Sequence, residues 1–357
     1  MTIAPGSTIG IIGGGQLGRM LAMAAARLGY HCHIYCPDAE SPAGEVAARL
    51  TRAAYDDQAA LAAFADSVDV VTYEFENIPA APIQRLAARR LLHPNAHALA
   101  VAQDRLAEKE FVAALGGRPA PFRAVDSVSD LTAALVAIGA PAILKTRRFG
   151  YDGKGQVRIA SLEEAAAAWD AIKGAPAILE GLVRFDHEFS IIAVRGADGA
   201  FATWEAPDNV HHHGILATST VPAGGIIAAQ AEEAAALARK VAEALDYVGV
   251  LTLEFFASAE GPVFNEMAPR VHNSGHWTIE GALTSQFENH IRAICGLPIG
   301  STARVGRRVT MRNLIGADVD EWRAVYDDPS ARLHLYGKAT ARAGRKMGHV
   351  TRLELTE

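Results

Sequence analysis

The sequence predicts an α/β amino-terminal domain built on a parallel sheet, followed by an α+β domain and a small β-rich carboxy-terminal domain. Three observations predict it. Strand and helix patterns alternate through the first hundred residues; β-branched strands lie close together from Pro119 to Leu297, with two alanine-rich helices between them; short strand-like runs follow Pro298.

In the first part, Thr8 to Ile12 reads as a strand, Gln16 to Leu28 as an Ala/Leu-rich helix, and His31 to Tyr35 and Val68 to Tyr73 as further strands. That order indicates a Rossmann-like sheet. Around Pro94 the pattern changes, and Asp104 reads as the N-cap of a helix that runs to Leu115 and stops at Gly116-Gly117. Domains are expected over 1–103, 104–297 and 298–357. The second should hold long helices at Leu162 to Ile172 and Ala228 to Leu245. The third, with strands at Arg308 to Leu314 and Thr351 to Leu355, is too small to stand alone and is expected to pack on the first.

Composition narrows the function classes. The chain has 357 residues, 50% hydrophobic and 21% charged, enough for a sizeable core. A net charge of -6 with both signs mixed offers no basic block for a phosphate backbone, so nucleic acid is not an expected partner. The amino terminus lacks a basic segment followed by an apolar one, and the longest apolar stretch is interrupted by Gly139 and Pro141; neither export nor membrane insertion is expected. Cys32, Cys36 and Cys295 are too few and too scattered for a disulfide framework, which suits a reducing cytoplasm. Cys32 and Cys36 project from one face of a strand and read as small core residues.

Gly13-Gly14-Gly15-Gln16-Leu17-Gly18 matches GxGxxG between a strand and a helix, and Asp38 stands near the place of a ribose-binding acid. Glycines at such a turn admit any phosphate, carboxylate or ribose to the free N–H groups of the helix start. The loop alone does not name its ligand, and a nicotinamide-dependent oxidoreductase remains a rival on these residues.

The remaining chemistry sits in four places. Lys145 ends a strand over Pro141 to Leu144, and the loop after it, running through Gly150, Tyr151, Asp152, Gly153, Lys154, Gly155 and Gln156, has the glycines and cations to fold over a polyphosphate without being a Walker A loop. Glu180 leaves the end of the strand Ala177 to Val183, and Glu188 opens the next; such a strand end can bond an adenine edge, and a second carboxylate can take ribose hydroxyls. Glu254 and Glu266 lie on successive apolar strands, Val248 to Phe256 and Pro262 to Glu266, where an inward carboxylate is costly unless a cation compensates it. With the Asn265 amide they make hard oxygen donors suited to Mg²⁺. The donor-rich run from Ala268 to Trp277 that follows, with Arg270, His272 and Asn273 in it, suits an anion pocket. Of His211, His212 and His213, three neighbours that cannot all face one ion in an extended chain, His211 is expected to point into the site.

With these residues in order, the chain resembles the ATP-grasp superfamily and, within it, the N5-carboxyaminoimidazole ribonucleotide synthetase family. The resemblance runs through GGGQLGRML at Gly13, YEFENI at Tyr73, GYDGKGQ at Gly150, NEMAPRVHNSGHWT at Asn265 and GRKMGH at Gly344. The fourth is the most specific. The resemblance implies a pre-ATP-grasp domain, then an ATP-grasp domain whose two α+β subdomains hold ATP in their cleft. Arg105, Lys145 and the loop from Gly150 to Gln156 would surround the phosphates, Glu180, Gly181, Leu182 and Val183 the adenine, and Glu188 the ribose, with His211 nearby. Glu254, Asn265 and Glu266 would hold Mg²⁺. Gln16, Leu17, Glu74 and Tyr151 would meet an aminoimidazole ribonucleotide whose phosphate is held by Lys338, Arg345 and Lys346. Asp152, Arg270, His272 and Asn273 would surround the carboxylation centre.

By the same resemblance the cofactors are ATP and Mg²⁺, the small-molecule partner besides the ribonucleotide is bicarbonate, and the assembly is a homodimer built on the first and last domains. Bicarbonate would attack the γ-phosphate to give carboxyphosphate, and the ribonucleotide amine would take up the carboxyl group, directly or after release of CO₂. Rivals are another ATP-grasp ligase, such as a formate-dependent ribonucleotide transformylase, the oxidoreductase above, and a nucleotide sensor without turnover.

Overall fold

A computed structural model describes residues 2–148, 150 and 155–355. The first sheet has five parallel strands in the spatial order Arg49–Arg52, His31–Cys36, Thr8–Ile12, Val70–Tyr73 and Leu91–Leu92. All four residues of Val70–Tyr73 are buried, as a strand covered on both faces requires. Gln16–Arg27 follows the first strand, and its buried side chains Leu17, Met20, Leu21, Ala24 and Ala25 face the core. Gly10 has no room for a side chain, because a Cβ there would meet Phe64 at 2.7 Å.

The second part holds two α+β units. Four antiparallel strands, in the order Phe122–Val125, Ala177–Gly181, Ala142–Thr146 and Gln156–Ile159, carry Val128–Ile138 and Ala165–Ala171. The predicted helix at Leu162 begins as a 3₁₀ turn over Leu162–Glu164. Opposite lies a nine-stranded sheet that contains Gly249–Ser258, Gly261–Ala268 and His187–Arg195, backed by Gly225–Ala244. The helix Arg105–Ala114 starts where Asp104 predicts: its carboxylate accepts the Leu106 N–H at 3.1 Å and also pairs with Arg147.

The carboxy-terminal strands do more than pack on the first part. Ile215–Val221 pairs with Arg308–Ile315, which pairs with Lys346–Glu354, so the tail continues the large sheet of the middle segment. It meets the first part as well, where Glu40 accepts the Ala339 N–H at 2.5 Å and pairs with Arg345 at 2.8 Å. His290, fully buried on the helix Gln286–Ile294, ties the two sheets: its Nε2 lies 2.8 Å from Thr72 Oγ1, and its Nδ1 accepts the Val250 N–H at 3.1 Å. No helix among the described residues is long and apolar enough to cross a membrane.

Candidate active site

The glycine loop meets a carboxylate of the protein itself. Glu74, just past Val70–Tyr73, accepts the backbone N–H of Gly15 and, at 2.7 Å, that of Gly18. A Cβ at Gly15 would stand 2.6 Å from Glu74 Oε1, so glycine is required there by the close approach of the acid. Burial pushes the Glu74 carboxyl up, and the two N–H groups pull it back. The helix start that a dinucleotide pyrophosphate needs is therefore filled, and the oxidoreductase reading of the motif fails on this contact.

Glu74 lines a cavity of about 390 Å³ together with Gln16, Leu17, Arg105, Gly150, Glu254, Glu266, Arg270, His272, Asn273 and Lys346. Residues from seven separate segments of the sequence thus share one space. Glu254 and Glu266 stand directly opposite each other on paired antiparallel strands. Each faces a nitrogen base of the protein: Arg105 Nη1 lies 3.1 Å from Glu266 Oε2, and His272 Nε2 lies 3.0 Å from Glu254 Oε1. Burial raises the Glu266 carboxyl, but Arg105 and Lys145 more than offset it and hold the group well below the usual carboxylate range. Two carboxylates that are register partners and line one cavity fit a hard divalent cation that completes its shell with phosphate and water. Among the described residues no cluster of three or more His, Cys, Asp or Glu could cage a metal without such help. Asn265 does not line the cavity.

Arg270 enters the cavity from the loop after Gly261–Ala268. Glu76 holds it by two bonds, Nε to Oε2 at 2.5 Å and Nη2 to Oε1 at 3.1 Å. Burial raises the Glu76 carboxyl, and Arg270 overcomes that to keep it low. His272 is fixed from three sides. Its backbone N–H donates to Gln286 Oε1 at 2.9 Å, its carbonyl accepts from Gln286 Nε2 at 2.6 Å, and its Nδ1 lies 2.9 Å from Ser274 Oγ. Asn273, next in the chain, is buried, and neither atom of its amide is bonded within the protein.

Of the nucleotide candidates, Arg105, Gly150 and Glu266 line this cavity, whereas Lys145, Glu180 to Val183, Glu188 and His211 are not in its wall. Lys145, inside Ala142–Thr146 rather than at the strand's end, donates to Glu180 Oε2 at 2.9 Å. Burial raises the Glu180 carboxyl; Lys109 and Lys145 outweigh it and keep the group ionised. Gly181 ends the strand of Glu180, and Leu182 and Val183 follow it. His211 Nδ1 lies 3.2 Å from Glu188 Oε2, while His213 occupies the turn at φ +52°. Burial lowers the His211 pKa, and the bond to Glu188 raises it overall. Gly155 and Gln156 lead into Gln156–Ile159. Tyr151, Asp152, Gly153 and Lys154 lie outside the described residues.

Lys338 and Arg345 line a second depression of about 310 Å³ with Gly14, Gly15 and Asp38; Gly15 borders both spaces. Burial and the neighbouring Arg345 bring the Lys338 ammonium down to about 8.

Known proteins match the chain over nearly its whole length. Residues 6–103 match the ribonucleotide synthetase preATP-grasp domain, 110–287 the ATP-grasp domain, and 309–357 the phosphoribosylaminoimidazole carboxylase C-terminal domain. An N5-carboxyaminoimidazole ribonucleotide synthase of Brucella melitensis is 56% identical over 356 residues, which cover 99% of this chain and 98% of that one. The chain belongs to the N5-carboxyaminoimidazole ribonucleotide synthetase family. The family's crystal structure from Thermus thermophilus superposes with a TM-score of 0.91 at 50% identity, covering 97% of this chain and 93% of the other. A relative from Aspergillus clavatus, solved in complex with ADP and 5-aminoimidazole ribonucleotide, gives 0.91 at 31% identity, with 98% and 94% covered.

Three charged residues of this family member escape the sequence reading. Glu76 stands in the quoted YEFENI run but carries no local sign that it grips Arg270. Glu108 and Lys109, both buried, sit in a run of alternating charges that reads as a solvated helix face.

Proposed function

We propose that this enzyme carboxylates 5-aminoimidazole ribonucleotide to N5-carboxyaminoimidazole ribonucleotide in de novo purine biosynthesis, using ATP and bicarbonate and releasing ADP and phosphate. The observation that carries it is the convergence of the facing Glu254 and Glu266, the donors Arg270, His272 and Asn273, and the glycine-loop residues Gln16 and Leu17 on one cavity.

A bicarbonate oxygen forms a bond to the γ-phosphorus as the bond to the β-phosphate oxygen breaks, releasing ADP and leaving carboxyphosphate. The ribonucleotide amine then bonds the carboxyl carbon, phosphate leaves with the electron pair of the broken C–O bond, and the nitrogen loses a proton. Arg270 and the free amide of Asn273 supply charge and hydrogen bonds where negative charge develops. Asp152 is assigned to orient or deprotonate the amine. Glu254 and Glu266 would hold Mg²⁺, whose charge would neutralise the phosphate oxygens; Asn265, outside the cavity wall, is not counted among its ligands. Arg105, Lys145 and the loop Gly150–Gln156 take the ATP phosphates, Glu180 to Val183 the adenine, and Glu188 with His211 the ribose. Lys338, Arg345 and Lys346 take the ribonucleotide phosphate, and Glu74 and Tyr151 lie beside its ring and sugar. The enzyme is assigned to the cytoplasm as a homodimer.

The test is ADP release with Mg-ATP and bicarbonate, with and without the ribonucleotide, in wild type and Glu266→Ala. Release that needs both substrates and is lost in the variant supports the assignment; release sustained by formate in place of bicarbonate overturns the substrate.

A further inference from the structure

The strands Gly249–Ser258 and Gly261–Ala268 are out of step at the site. Glu254 pairs with Glu266 and Phe255 with Phe264, so Asn265 is an extra residue, a β-bulge. A bulge takes backbone groups out of the ladder, and buried ones must find other partners. Here the partners come from one place, the helix Arg105–Ala114. Lys109 Nζ donates to the Asn265 carbonyl at 3.0 Å, and Glu108 Oε1 accepts the Met267 N–H at 2.5 Å. The first group belongs to the peptide bond before Glu266 and the second to the peptide bond after it. Because the two flanking peptide planes set the φ and ψ of a residue, two consecutive helix residues fix the backbone from which the Glu266 carboxylate projects.

The cost of this arrangement argues for its purpose. Lys109 and Glu108 are 1% and 2% exposed. Buried charges are poor sources of stability, since removing them from water offsets most of their attraction. Lys109 also lies 3.4 Å from Glu180 Oε2, on the opposite four-stranded sheet. One ammonium therefore touches both the strand of the metal candidate and the strand of the adenine candidate.

We propose that Glu108 and Lys109 are positioning residues that hold the Asn265–Glu266 bulge in the geometry a divalent cation needs, with Lys109 also tying that bulge to Glu180. This rests on the proposed role of Glu266 as a metal ligand. Supporting residues behind a metal ligand typically change affinity by roughly 10- to 100-fold when lost.

The test measures Mn²⁺ binding by electron paramagnetic resonance in the presence of ADP, and separately ribonucleotide binding without nucleotide, in Glu108→Gln, Glu108→Leu, Lys109→Met and Glu266→Gln. Glu108→Gln keeps an acceptor oxygen and should stay within about twofold of wild type, whereas Glu108→Leu and Lys109→Met should weaken Mn²⁺ about tenfold or more and leave ribonucleotide affinity unchanged. Near-ultraviolet circular dichroism checks the fold, and if Lys109→Met does not fold, the contrast between the two Glu108 variants decides. Equal Mn²⁺ affinity in Glu108→Leu, or equal loss of both ligands, overturns the positioning role. Mn²⁺ affinity unchanged in Glu266→Gln overturns the metal assignment itself, and the positioning role with it.

Discussion

The Glu74 carboxylate accepts the backbone N–H of Gly18 at 2.7 Å, so the protein supplies its own anion to the start of its first helix. A sequence motif that signals an anion site is thereby consistent with a site already satisfied. Gly15→Ala would drive a methyl group to 2.6 Å from the same carboxylate. Overpacking of this kind costs about 1–3 kcal/mol. The expected outcome is a lower Tm and weaker ribonucleotide binding by calorimetry, with ADP affinity unchanged because Glu180 and Lys145 lie on another sheet. Wild-type protein should leave NADH fluorescence unaltered; a saturable change would undo the reading of Glu74 as the loop's resident anion.

Glu76 aims Arg270. Replacing its carboxylate by an amide leaves one acceptor where two met the guanidinium. Bonds to charged groups contribute about 1.5–3 kcal/mol. If Arg270 acts only as charge develops, that loss falls on kcat, by roughly 10- to 100-fold, with the KM for ATP held near wild type. Steady-state ADP release in Glu76→Gln measures it. A rise in the KM for ATP at constant kcat would mean that Arg270 serves ground-state binding instead.

The contrast between Glu254 and Glu108 shows what the sequence could reveal. Glu254 and Glu266 are flanked by apolar residues of strands, so the sequence marks each as either a compensated inward carboxylate or a solvated one, and the register then sets the two opposite each other. Asp104 is legible in the same way, from cap chemistry local to its helix. Glu108 and Lys109 are not, because Glu108-Lys109-Glu110 has the charges of a solvated face and only Glu110 is exposed. Nor does a local signal pair Thr218 with Arg312; that pairing joins the tail to the large sheet through contacts distant in sequence. Alternation and capping are encoded within a few residues, whereas burial of a charge is decided by whatever element crosses over it.

Glu40 competes for the groups assigned to the ribonucleotide phosphate. Its two oxygens take the Ala339 N–H and Arg345 Nη2. The side chain of Glu40 is 37% exposed, so the pair is weak and exchangeable. Glu40→Gln should release Arg345 and lower the KM for the ribonucleotide by roughly two- to fivefold at low salt, with the advantage fading as salt rises. A higher KM would show that Glu40 orients Arg345 rather than competing with the phosphate.

His290 makes the joint between the five-stranded and nine-stranded sheets sensitive to acid. Burial, with a smaller push from His93, brings its pKa down to about 3. The neutral ring fits its surroundings, since Nδ1 accepts the Val250 N–H and Nε2 faces the Thr72 hydroxyl. In the unfolded chain the imidazole titrates near its ordinary value of 6.5, so below that pH the unfolded state binds a proton that the folded state refuses. Stability from this residue is complete above about 6.5 and is lost progressively as the pH falls toward 3. At pH 5 the loss amounts to about 2 kcal/mol, from roughly 1.5 units at 1.36 kcal/mol each. Buried Glu74 and Glu108, whose carboxyls are pushed up, act in the opposite direction, so wild type alone does not isolate the effect. His290→Asn keeps an acceptor for Val250 and removes the titration. Urea unfolding of both proteins at pH 7.5 and pH 5 should show the advantage of wild type over the variant shrinking by about 2 kcal/mol. If that difference stays constant with pH, His290 is not the proton-sensitive element of the joint.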